Sequence, residues 1–216
     1  MSDIFRNFLT EVRSIRFREP LAETLGAVKR EGVILEYTFV DVIKMAGHAC
    51  PTVAGAYLSC KKAMDALYLD DAPVRGEISI TVYGEQDEGV YGVMAQVFSF
   101  LTGAAPTSGF RGLGHKFRRK DLLRFIPEKI DSLAMCFEFE RLDNGKAVLV
   151  KFYPQQVPFP ENKAKRLGEL LDKVIRETAM EEERIEFQEL WMGKVEDMLL
   201  AEKEIDRWLI IEERRN

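Results

Sequence analysis

Cysteine and histidine are scarce in this chain. It holds three cysteines, Cys50, Cys60 and Cys136, and two histidines, His48 and His115. An odd number of cysteines without close pairing argues against a disulfide framework and fits a reducing compartment. A basic excess is also lacking. Lysine and arginine total 31 against 36 acidic residues, a formal net charge of -5. General nucleic-acid binders show the opposite balance. No apolar run is long enough to span a membrane. The longest, Val90 to Ala105, is broken by Gly92, Gln96, Ser99 and Gly103. The first residues, Met1 to Asn7, are charged early and have no apolar stretch of the kind a secretory leader needs. There is no internal repeat and no low-complexity segment. The expectation is a cytoplasmic protein with no membrane and no nucleic-acid partner. What is present, 46% hydrophobic and 31% charged residues, is the composition of a globular protein with a sizeable core.

The most informative stretch is Gly47-His48-Ala49-Cys50-Pro51-Thr52 and the segment that follows. Val53, Tyr57, Cys60, Met64 and Leu67 recur at four, three, four and three residues, which predicts one face of a helix running to Tyr68. Pro51 suits the first helical turn, where an N–H would lack an intrahelical partner, so Cys50 falls at the N-cap. The positive end of a helix dipole favours a thiolate over a thiol. A thiolate is both a metal ligand and a nucleophile. With His48 two residues away, the turn offers half of a tetrahedral zinc site. The plainer alternative is a histidine bonded to a carbonyl and a cysteine that acts as a small hydrophobe.

Other elements follow from periodicity. Ile4 to Ile15 has helical spacing, with Ser2 or Asp3 as its cap, and a short helix is expected from Pro20 to Lys29. Val33–Tyr37 reads as strand or helix, and Phe39–Met45 as a short helix. Gly76–Tyr83 alternates as a strand. Val90–Leu101 is a second core helix, stopped at Thr102-Gly103. Leu133–Arg141 and Lys146–Tyr153 flank Leu142-Asp143-Asn144-Gly145 as a hairpin. Pro154 to Pro160 marks a boundary, after which amphipathic helices run from Glu161 and from Ile185. Trp208–Ile211 either prolongs the helix or forms an edge strand. The fold expected is α+β: a mixed β-sheet packed against helices, with residues 1–155 as the core domain and 156–216 as a helical C-terminal extension.

A second candidate site follows the core helix. The loop Ala104–Gly114 is rich in glycine, contains Arg111 and is followed by His115, Lys116, Arg118, Arg119 and Lys120. Backbone amides of glycines together with Arg and Lys can hold a carboxylate or phosphate. The glycine spacing matches neither the P-loop nor the dinucleotide fingerprint. A solvated charged loop is the alternative. The acidic loop Glu85–Glu88 reads as a solvated turn, or as a source of carboxylate ligands if it folds over Cys50. His115, the other histidine, is the natural third ligand or general acid–base candidate, or an ordinary surface histidine. The metal candidates are therefore His48, Cys50 and His115.

The Gly-His-x-Cys-Pro motif with its small-residue helix resembles the opening of the FmdE-like family, associated with formylmethanofuran dehydrogenase. Phe100-Leu101-Thr102-Gly103, the glycine-rich turn and Gly114-His115-Lys116-Phe117 extend the resemblance, which covers roughly residues 30 to 155. It implies an α+β core, a metal near the histidine and cysteine, and a homodimer. It also brings Thr102 and Gly103 into the anion- or substrate-binding set with Arg111, Gly114 and Lys116. The sequence departs from the family where many members carry further cysteines: it has Val93-Met94-Ala95-Gln96 and Ala104-Ala105 there, and none after Cys136. That excludes a four-cysteine tail site within these residues.

Two functions are expected. One is a metal-binding protein, with zinc or another divalent transition metal, related to one-carbon metabolism and holding a small anionic ligand. The other is a non-catalytic assembly or binding subunit that uses the C-terminal helices for partner contact. A nucleophilic Cys50 with His48 as base is a third possibility.

Overall fold

The computed structural model describes residues 4–29, 32–69, 71–201 and 204–214. In chain order the elements are β1 (Ile15–Arg18), α1 (Pro20–Thr24), β2 (Ile34–Tyr37), α2 (Phe39–Ala46), α3 (Pro51–Tyr68), β3 (Ile78–Tyr83), α4 (Tyr91–Thr102), β4 (Gly112–Leu113), β5 (Phe117–Arg118), β6 (Leu123–Ile126), β7 (Met135–Arg141), β8 (Ala147–Phe152), α5 (Glu161–Ile175), α6 (Glu181–Leu199) and β9 (Leu209–Arg214). The fold is α+β. Five strands form the main sheet in the order β6-β3-β7-β8-β9. The β3–β6 pair is parallel and the other pairs are antiparallel.

Alternation sets the inward face of this sheet. The register places Val82 opposite Phe137, Phe137 opposite Val150, and Val150 opposite Ile211, so one apolar row crosses four strands. The α3 and α4 helices cover that row. Phe98 of α4 meets Phe137 and Phe139 edge-on, with ring centroids at 4.9 and 5.1 Å. Full burial of each such ring stabilises by roughly 1.5–3 kcal/mol. Gly55 lets α3 settle on β8, because a Cβ there would stand 2.6 Å from Phe152 Cζ. Val53, Tyr57, Cys60, Met64 and Leu67, the apolar set read from the spacing, are all buried.

The N-terminal segment differs from the expected helix. A 3-10 turn spans Asn7–Thr10, and Ile15 lies in β1. Ile15 and Phe17 are buried while Arg16 and Arg18 are exposed, a period of two that suits a strand and not a helix. The expected caps Ser2 and Asp3 lie outside the described residues. The first helix after Pro20 ends at Thr24, well short of Lys29. Ile34–Tyr37 is a strand paired with β1.

The C-terminal segment is a helical hairpin followed by a strand. Both α6 and the sheet edge meet the core: α6 packs on α3, α5 packs on α6, and β9 pairs with β8. Trp208 and Leu209 are completely buried at this junction. Trp208 thus leads into an edge strand, the second of the two readings open from sequence.

Candidate functional site: a histidine–cysteine turn and a buried arginine cluster

The turn between α2 and α3 is fixed at both ends. Thr38 opens α2 with a capping box: its side chain accepts from the Asp41 N–H, and the Asp41 carboxylate accepts from the Thr38 N–H. Gly47 closes α2 at φ 75°, in the left-handed region that favours glycine. Cys50 then caps α3, with Pro51 at the first helical position. Its Sγ accepts from the Val53 N–H at 3.4 Å. His48 is exposed, and its Nδ1 lies 3.0 Å from the Ala46 carbonyl oxygen. A carbonyl can only accept, so Nδ1 carries the proton in that contact. In the neutral ring this leaves Nε2 with a free lone pair, the form that binds metals. From the other side Trp191 of α6 donates its Nε1–H to the Ala49 carbonyl at 2.8 Å. The C-terminal helix therefore holds the residue between His48 and Cys50.

His115 is placed elsewhere. It is exposed in the β4–β5 hairpin, where its carbonyl accepts from the Arg118 N–H. Among the described residues no group of three or more His, Cys, Asp or Glu side chains could hold a metal ion. His48 and Cys50 are thus two donors without His115 as a third. Of the acidic loop, Glu88 is engaged by Lys129. Burial pushes the Cys60 thiol up, and the Cys136 thiol up to about 11, which fits the packing roles expected for both.

The anion-binding candidates divide into two sets. Thr102 is buried, donating its hydroxyl to the Phe98 carbonyl and accepting from the Ala104 N–H. Gly103 closes α4 at φ 76°. Arg111, Gly114 and Lys116 lie on the exposed hairpin, with Lys116 Nζ over the Phe117 ring.

Between these sets sits a cluster that the sequence does not announce. Arg119, 3% exposed, is the one member of the Arg118-Arg119-Lys120 run that turns inward. Its backbone is held on both sides: its N–H donates to the Arg111 carbonyl, and its carbonyl accepts from the Ala105 N–H. Arg119 Nη2 donates to Glu19 Oε1 at 2.6 Å, and Arg75 Nη1 donates to Glu19 Oε2 at 2.8 Å. Arg75 also donates to the Leu101 and Phe100 carbonyls at the end of α4, and stands over the Tyr37 ring. Burial raises the Glu19 carboxyl, but the hydrogen bonds from Arg119 and Arg75 outweigh it and hold the group below its usual range. Gly103 and Gly76 make room for the guanidinium: a Cβ at Gly103 would lie 1.9 Å from Arg119 Nη1, and one at Gly76 2.8 Å from Nε. No sequence motif links Glu19, Arg75 and Arg119. The only local hint is a glutamate before Pro20 that also accepts from the Leu21 N–H to open α1.

No curated protein sequence matches the chain. No helix among the described residues is long and apolar enough to cross a membrane. The profile of one family, described as "FmdE, Molybdenum formylmethanofuran dehydrogenase operon", matches residues 45–205, which include the His48–Cys50 turn, the α4 stop and the C-terminal helices. The chain belongs to the FmdE family.

Proposed function

We propose that this chain binds a divalent metal, zinc, at the turn between α2 and α3, with His48 and Cys50 as ligands, and that it serves one-carbon (formylmethanofuran) metabolism in the cytoplasm as a homodimer. The observation that carries this reading is the placement of Cys50 as the N-cap of the 18-residue helix α3. The sulfur there already accepts the Val53 N–H at 3.4 Å. His48 lies two residues away on the surface with Nδ1 committed to a carbonyl. That contact orients the ring and leaves Nε2 for an ion, as carbonyl partners do for metal-bound histidines generally. Two donors are half of a tetrahedral set, and the described residues of one chain supply no third. The remaining positions fall to water, to a bound ligand or to a second copy of the chain. When bound, zinc would supply Lewis acidity toward a carbonyl or a water molecule. The chain's own contribution is to hold the sulfur and the ring nitrogen in place, through Gly47, Pro51 and the Trp191 contact to Ala49.

Elemental analysis of protein purified without added metal tests this. Zinc is expected in the parent chain and is expected to be lost in Cys50→Ala and in His48→Ala. Equal metal content in the parent and Cys50→Ala would remove the reading.

A second reading is favoured by a separate observation. Ile175, Met180 and Ile185, around the α5–α6 turn, are 71%, 64% and 52% exposed. Apolar side chains grouped in this way suit a partner surface. In this reading the chain is a non-catalytic assembly component, and its complexes persist in the metal-free Cys50→Ala variant.

A further inference from the structure

We propose that the cavity beside the Glu19–Arg75–Arg119 cluster is a binding site for a small organic monocarboxylate. The cavity has a volume of about 520 Å³, within the size range of small-ligand sites. The proposal does not depend on a metal at His48 and Cys50.

Charge is the first argument. Two guanidinium groups and one carboxylate face this space, leaving one positive charge in excess. A buried charge without compensation is costly, and an anion placed against it removes that cost. The second argument is an unused donor. Arg119 is 97% buried, yet its Nε has no hydrogen-bond partner. On a planar guanidinium Nε–H and Nη2–H form one fork. Glu19 takes Nη2 alone, so the Nε–H half of the fork is left without an acceptor. Tyr37 and Ser99 line the same space.

The lining also states the sign and size of the ligand. Glu19 is part of the wall, so a dianion such as sulfate meets a carboxylate, whereas a monoanion matches the single excess charge. The rest of the wall is apolar. Leu21 and Leu35 contribute to it, and Leu25 and Phe110, on two separate loops, are 64% and 70% exposed. An exposed leucine and phenylalanine flanking one opening gain burial when an apolar ligand body lies between them. A carboxylate head on Arg119 with a ring or branched alkyl body between Leu25 and Phe110 satisfies each of these features.

Benzoate and isovalerate serve as probes, with benzamide as the neutral counterpart and sulfate as the dianion. Calorimetry and thermal shift on the full chain read the binding. The carboxylates are expected to bind saturably and to raise the melting temperature, while benzamide and sulfate do neither. Arg119→Lys keeps a cation beside Glu19 but removes the fork. It is expected to weaken benzoate binding at least about tenfold, a change of about 1.4 kcal/mol. Phe110→Ser, at an exposed position, is expected to weaken it several-fold without changing the melting temperature of the free protein. No binding of either carboxylate, equal binding of benzamide, preference for sulfate, or benzoate binding unaltered in Arg119→Lys would each overturn the assignment.

Discussion

Replacing Glu19 by glutamine is expected to be the most costly single change in the arginine cluster. The side chain is 7% exposed and is the common acceptor for Arg75 and Arg119. Removing its charge leaves Arg119, with a side chain 4% exposed, as a buried cation without a counter-charge. Breaking a buried pair in this way costs about 3–5 kcal/mol. Arg119→Met leaves Glu19 better supported, since Arg75 and the Leu21 N–H still donate to it. Its expected cost is about 1–3 kcal/mol, the range for a lost buried hydrogen bond. Because the two residues act through one contact, the double variant should cost less than the sum by about 1–3 kcal/mol. The pH dependence follows from the direction of the shift. The Glu19 carboxyl is held below its usual range, so its contribution is present at neutral pH. It is lost as pH falls below the ordinary glutamate value, about 4.3, and through the lowered folded value. Glu19→Gln should therefore flatten the acid limb of the stability curve. Urea unfolding of the parent, the two single variants and the double variant, across acid to neutral pH, reads all of these quantities. A Glu19→Gln cost under about 1 kcal/mol, against the few kcal/mol a buried pair carries, would refute the reasoning. So would single-variant costs that simply add.

Three further outcomes are expected. Gly103→Ala should destabilise by more than Gly47→Ala: both glycines have φ near 75°, a backbone cost of about 1–2 kcal/mol, but only at Gly103 would the new Cβ strike Arg119. Equal costs in urea unfolding would deny that Arg119 packs on Gly103. Trp191→Phe removes the donor to the Ala49 carbonyl and should cost about 0.5–1.5 kcal/mol; amide exchange in residues 47–50 should rise with it, and unchanged protection would show that α6 does not steady the turn. Native protein at neutral pH should give at most one thiol reactive to a disulfide reagent, Cys50, because Cys60 and Cys136 are sealed and burial raises both thiols; two or three fast-reacting thiols would contradict the core packing.

Legibility in the sequence follows the range of the interactions. The α3 helix could be read because its signals are local: Pro51 sets the start, and the spacing from Val53 to Leu67 names the buried face. The β7–β8 hairpin was equally legible from alternation around Asn144-Gly145. The N-terminal segment misled because Ile4 to Val12 has helical spacing, whereas the Ile15-Arg16-Phe17-Arg18 alternation decides the pairing with β2. Cys50 at a helix start was visible for the same local reason as α3. The arginine cluster was not. Arg119 stands in a basic run whose members look alike in sequence, and only its backbone bonds to Arg111 and Ala105 turn it inward. Its partner Glu19 is 100 residues away along the chain, so no spacing rule could pair them. Gly103 was picked out as a helix stop, but its second role, admitting the guanidinium, depends on that same distant contact.

The most direct test of the proposed metal site is X-ray absorption at the zinc edge on protein purified without added metal, for the parent and for Cys50→Ala. The account predicts a sulfur scatterer at about 2.3 Å and a nitrogen shell at about 2.0–2.1 Å in the parent, and no zinc signal in the variant. A shell of oxygen and nitrogen alone, identical in both proteins, would contradict it.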